Sequence, residues 1–222
     1  MKELSKTTLI ALLKVAVILI LVQAARAALT MACTSVLGVQ GTAMQPVTGL
    51  LAMVAVGSVL FALARIKGIS LSVFPKFTSS KDRILYIIAT VIVGGFILAV
   101  PVLARDFSAS TLLSLLYTAI ITPMFEEVLF RGYAWNQLKP HFKVELTVCM
   151  VTAAMYAIWN LGYIDFALTI SNGATPAGII MLLVSNAMLG LIMGLIMGIA
   201  RILSKNCYPS ILLHIVLCVI VR

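Results

Sequence analysis

Apolar residues in this chain come in long runs and do not alternate with polar ones. Seven runs stand out, over about residues 8–29, 46–64, 84–104, 111–138, 144–162, 177–200 and 208–221. A helix needs roughly 20 such residues to cross the hydrocarbon core of a bilayer, whereas barrel strands alternate. The pattern therefore predicts an all-α protein, a polytopic transmembrane helix bundle with about seven spans. The last span is short, and Pro209 suits its first turn. Basic residues punctuate the runs unevenly. Lys2 and Lys6 precede the first span, and only Arg26 separates it from the second. Arg65, Lys67, Lys76, Lys81 and Arg83 precede the third, and Arg105 alone follows it. Lys139 and Lys143 follow the fourth, no Lys or Arg lies between 162 and 176, and Arg201 and Lys205 precede the seventh. The basic loops are every second loop, which puts the N-terminus in the cytoplasm and the C-terminus outside. The first run, ending in "QAARAA", also reads as a cleavable signal peptide. Lys14 interrupts that run, and the charge alternation holds with the segment retained.

Composition sharpens the picture. Of 222 residues, 62% are hydrophobic and 10% charged, with a mean hydropathy of +1.15. A soluble domain is about a quarter charged, so this chain belongs in a membrane. Its net charge of +9 sits in short loops, which speaks for the lipid bilayer and against nucleic acid. Cys33, Cys149, Cys207 and Cys218 form no CxxC pair, so neither a disulfide framework nor a zinc knuckle is indicated. No repeat or low-complexity linker divides the chain, and one integrated membrane domain is expected.

The fourth span breaks its own rule. In Thr122–Gly132, "TPMFEEVLFRG", three ionisable groups fall within six positions. Charge inside a membrane is costly and marks function. At about 100° per residue, Glu126 shares a stripe with Thr122, Tyr133 and Gln137. Glu127 and Arg131 are four apart, the spacing of an ion pair. That division leaves Glu126 to face something else. The fifth span carries Thr152, Tyr156 and Asn160 at the same period, and the seventh Ser210, His214 and Cys218. A cavity between spans four to seven would collect these side chains. On the sixth span Asn186 heads a stripe of Gly190, Gly194 and Gly198, which reads as close helix packing with Asn186 as an interhelical hydrogen-bond donor. Trp135 and Trp159 read as packing or interface residues, and His141 and Asp165 as solvated.

At these residues the chain resembles the CAAX protease and bacteriocin-processing (Abi) family of intramembrane endopeptidases. Glu126-Glu127-Val128-Leu129-Phe130-Arg131-Gly132 matches its EExxxR motif. The family's second motif, an aromatic with histidine four residues on, falls at Tyr156–Asn160, where asparagine replaces histidine. Its last motif, His-x-x-x-Asn, falls at His214–Cys218, where cysteine replaces asparagine. The resemblance covers about 110–221 and divides the chain into N-terminal membrane spans (1–105) and a motif-bearing core (106–222).

What the resemblance implies is hydrolysis of a peptide bond in a peptide or membrane-protein substrate. Glu126 would activate water as a general base, Glu127 and Arg131 would accompany it, and His214 would stabilise the oxyanion. Asn160 would stand where a histidine assists, with Tyr156, Cys218 and Asn186 as accessory groups. No cofactor is assigned, and a divalent metal is left open; one histidine beside glutamates is a poor zinc set. The bacterial members of the family imply a multi-pass protein of the cell membrane. The departures at Asn160 and Cys218 keep a second expectation alive, a degenerate member acting in bacteriocin immunity or as a membrane scaffold. A small transporter fits less well, because the polar residues gather in the second half only.

Overall fold

A computed structural model describes residues 5–36, 45–75, 77, 79–163 and 175–221. Lys2, Lys76 and Asp165 lie outside the described residues. Every described regular element is helical. The helices are α1 (Lys6–Val36), α2 (Gln45–Ile66), α3 (Ser80–Ala104), α4 (Ala109–His141), α5 (Glu145–Leu161), α6 (Pro176–Ser204) and α7 (Tyr208–Val221). They match the seven apolar runs one for one. Five are long and apolar enough to cross a membrane, while α5 and α7 are shorter apolar helices of 17 and 14 residues. The chain is a multi-pass membrane protein.

A bundle in lipid has no reason to hide apolar side chains from its solvent. On α3, Ile87, Val91 and Leu98 stand exposed, and α3 buries only Val93 and Pro101. The interior is built by α1, α4 and α5, where Val15, Leu19, Val22, Leu129, Phe130, Trp135, Val148 and Trp159 form one cluster. Helix α6 lies along α5 on its glycine stripe, as the spacing of small residues predicts. A Cβ at Gly194 would stand 2.8 Å from Ala153 Cα, and one at Gly190 would meet Asn160 Nδ2 at 2.5 Å. Asn186, one turn beyond Gly190, does not play its expected part. It is half-buried and makes no hydrogen bond among the described residues. A second correction concerns Arg26. Counted with the charges that separate the first two spans, Arg26 is not a loop residue but lies within α1, which runs on to Val36, and is buried, 2% exposed.

Helix α4 is not regular. It widens into π-helical turns at Leu116–Ile121 and again at Val128–Ala134. The first precedes Pro123, whose ring would otherwise crowd the carbonyl four residues back. There the Thr122 amide bonds to Tyr117 O, five residues back, and Thr122 Oγ1 donates to the same oxygen at 2.9 Å. At the second, the Trp135 amide bonds to Phe130 O, so Arg131 O loses its usual α-helical donor. Arg201 of α6, itself buried, donates Nε to that carbonyl at 3.1 Å and Nη2 to Asn136 Oδ1 at 3.2 Å. Unsatisfied backbone groups are prohibitive in hydrocarbon, so the arginine is what lets this turn widen.

The close packing of α5 on α6 is testable. Gly194→Ala drives a methyl into Ala153 and should lower stability by about 1–3 kcal/mol, the usual cost of overpacking. Gly95→Ala, on α3 where nothing lies within 4 Å of the new Cβ, should not. Thermal unfolding of the two purified variants in one detergent checks the contrast.

Candidate active site

Glu126 and Glu127 sit on α4 between its two wide turns, 2% and 0% exposed. Adjacent residues on a helix point about 100° apart, so each has its own surroundings. Glu127 turns to Arg131, whose Nη1 donates to Oε1 at 3.1 Å; both side chains are fully buried. Arg131 Nη2 reaches across to Gly194 O of α6 at 2.7 Å, and its guanidinium lies over the Tyr156 ring at 5.1 Å. His214 of α7 places Nδ1 3.0 Å from the same Glu127 Oε1. A carboxylate only accepts, so Nδ1 carries the proton in that bond. Glu127 Oε2 and Arg131 Nε have no hydrogen-bond partner among the described residues.

Glu126 turns to α5 and to the turn that follows it. Tyr156 donates to Oε2 at 2.5 Å, while Trp159 Nε1 (2.9 Å) and Tyr163 (2.5 Å) both donate to Oε1. Three donors thus fix the carboxylate without a cation. On its remaining side Oε2 stands 4.0 Å from His214 Nε2. Both groups face a cavity of about 360 Å³, which Thr122, Asn160, Gly190 and Cys218 also line. The expected gathering of side chains from spans four to seven therefore occurs. Asn160 lines the cavity, but its Nδ2 is held by Tyr156 O at 2.8 Å, so the amide does not reach Glu126 as a donor. Thr152 and Ser210 do not line the cavity, although Ser210 lies beside Glu127. Their hydroxyls bond back to Val148 O and Cys207 O.

The stripe of Thr122, Glu126, Tyr133 and Gln137 holds only in its first half. Thr122 and Glu126 share the cavity, but Tyr133 and Gln137 face a groove beside α1. The wide turn at Val128–Ala134 adds about one residue per turn, so residues beyond it rotate off the face that α-helical spacing assigns. Pro123 and Gly132 within α4 were the signals for such irregularity. A Cβ at Gly132 would stand 2.7 Å from Leu71 O.

Sequence reasoning missed Trp159 and Tyr163 as site residues. Their spacing after Tyr156, three and seven residues on, puts three aromatic donors on one face. It also missed what orients them. Arg26 on α1 lies over the Tyr163 ring at 4.5 Å and donates Nη2 to Gly162 O at 3.0 Å. Its Nε donates to Gln23 Oε1 at 2.9 Å, and Gln23 Nε2 donates to Trp159 O at 3.2 Å. The first helix therefore closes the end of α5 and braces two of the donors to Glu126.

No group of three or more His, Cys, Asp or Glu side chains among the described residues could hold a metal ion. Glu126 is taken by three donors and Glu127 by Arg131 and His214, so this donor set does not fit a metal that needs three protein ligands. In comparison with known proteins, a family profile described as type II CAAX prenyl endopeptidase, Rce1-like, matches residues 108–220. No curated protein and no solved structure matches the chain.

Two outcomes test this arrangement. Arg131→Met strands a buried carboxylate and should cost about 3–5 kcal/mol, and adding Glu127→Gln should restore much of it; thermal unfolding of both variants reads the difference. Arg26→Met should unbrace Tyr163 and raise labelling of Glu126 by a hydrophobic carbodiimide several-fold, with Glu127 unchanged, as read by peptide mass spectrometry.

Proposed function

The chain belongs to the Rce1-like family of type II CAAX prenyl endopeptidases, and from that premise we propose that it is an intramembrane endopeptidase in which Glu126 and His214 share one nucleophilic water. The observation that carries this reading is the 4.0 Å between Glu126 Oε2 and His214 Nε2 at the wall of a common cavity. In this reading the ring is neutral, with Nδ1–H committed to Glu127 and Nε2 turned as an acceptor towards Glu126. A water donating one hydrogen to each group keeps an oxygen lone pair free for a peptide carbonyl. As the C–O bond forms, the water's proton passes to Glu126 as general base, and from there to the departing amine as the C–N bond breaks. Glu127 and Arg131 hold the imidazole in the tautomer this needs. The second Nδ2 hydrogen of Asn160, not used on Tyr156 O, is available to the developing oxyanion. This gives His214 a place beside the water instead of the oxyanion role the family resemblance implied.

Substrates of this reading are peptides or membrane-anchored segments that enter the cavity from the bilayer. A second reading is favoured by one specific observation. Tyr156, Trp159 and Tyr163 occupy most of the acceptor positions of Glu126, an arrangement that suits a rigid peptide-binding site without turnover. An immunity or scaffold protein would work in that way.

The deciding experiment compares new protein N-termini in cells expressing the wild type, Glu126→Gln and His214→Gln at equal membrane levels. Gln keeps the shape of Glu126 but cannot take a proton. The expected outcome is a set of termini reduced about 10²–10⁴-fold, the range of a lost general base, in both variants. Identical profiles in all three would sink the catalytic reading and leave the binding one.

A further inference from the structure

Helix α4 carries a second group of polar side chains on the side away from Glu126. Tyr133, Gln137 and His141 line a groove of about 670 Å³ against α1, together with Lys14. Lys14, Gln137 and His141 are exposed and Tyr133 is half-buried. None of the four side chains makes a hydrogen bond or ion pair among the described residues. Neighbouring charges are treated differently. Lys139 and Lys205 both bond Glu145, at 2.7 and 2.8 Å. Among the described residues the Lys14 ammonium, eight residues into α1, has no acidic partner.

Each of the four offers a hydrogen to an acceptor. Lysine gives an ammonium, tyrosine a hydroxyl, glutamine an amide, and histidine an N–H in either charge state. Lys14 apart, the α1 wall of the groove is largely apolar, with Ile10 and Leu13 before the lysine and Val17 and Ile18 after it, deeper in the bundle. Tyr133, Gln137 and His141 follow one another along about 12 Å of α4, with His141 at its end; donors and a cation that give way to an apolar wall match an anionic head on a hydrocarbon chain. Lys6, Lys139 and Lys143 lie around the same end of the bundle, where the basic-loop rule places the cytoplasmic leaflet and its anionic lipids.

We propose that the groove between α1 and the end of α4 binds an anionic phospholipid of the cytoplasmic leaflet, with Lys14, Gln137 and His141 towards its phosphate and Tyr133 a turn deeper. An acyl chain then runs inward along Val17 and Ile18. The site does not depend on the peptidase reading, since none of its residues touches the Glu126 cavity. Because it clamps α1 to α4, bound lipid also fixes the helix that carries Arg26.

Native mass spectrometry of the full chain in detergent, titrated with phosphatidylglycerol or phosphatidylcholine, tests this. Phosphatidylglycerol should bind the wild type at least several-fold tighter. Lys14→Gln should weaken that binding about five-fold, the factor expected from one lysine near a membrane surface, and Lys14→Arg should keep most of it. Lys81→Gln, an exposed lysine outside the groove, should change nothing. Equal binding of the two lipids would overturn the proposal, as would equal losses in Lys14→Gln and Lys81→Gln. Displacement of the lipid by millimolar inorganic phosphate, or by an acidic peptide, would assign the groove to a different ligand and overturn it too.

Discussion

The structure turns on one buried ion pair. Glu127 and Arg131 are both inaccessible, in a surrounding that cannot screen them, so each depends on the other and on further hydrogen bonds. Arg131 finds Gly194 O on α6, and Glu127 finds His214 on α7. The pair thus recruits two helices that come later in the chain. Gly194 serves this arrangement in two ways. Its carbonyl receives the arginine, and its missing side chain leaves room for Ala153. The order of dependence runs from charge burial to helix spacing to the position of the imidazole, and only then to Glu126.

Backbone satisfaction is the second constraint. A straight α4 with Pro123 in it would crowd a carbonyl, and the wide turns relieve this at the cost of displaced hydrogen bonds. Thr122 and Arg201 serve the displaced carbonyls from their side chains. The same wide turn at Val128–Ala134 separates α4 into two faces. Before it, Glu126 looks towards α5 and α7. After it, Tyr133 and Gln137 look towards α1. One helix thereby supplies two unrelated polar surfaces.

What was legible in the sequence followed from period and apolarity. Seven runs gave seven helices, and the i, i+4 spacing of Glu127 and Arg131 gave their contact. The glycine stripe gave the α5–α6 packing for the same reason. The failures share a cause as well. Stripe arithmetic assumes a regular helix, so Tyr133 and Gln137 were carried to the wrong face by an irregularity that spacing alone does not reveal. Trp159 was read as packing because an indole in an apolar run has no visible partner until another helix brings one. Arg26 was read as a loop charge because its partners, Gly162 and Tyr163, lie 136 and 137 positions away along the chain. Asn186 was assigned a bond that its place one turn before Gly190, the residue that faces Asn160, does not provide.

That separation has a consequence for how the protein is made. The ribosome delivers α1, with Arg26 in it, long before it delivers the end of α5. Throughout that interval the bilayer holds a guanidinium whose final ring and carbonyl do not yet exist. Until then Gln23, on the same helix, is the partner that α1 itself supplies, and the contacts to Gly162 and Tyr163 can form only once residue 163 has been made. The first helix thus completes its set of contacts only after α5 has been delivered.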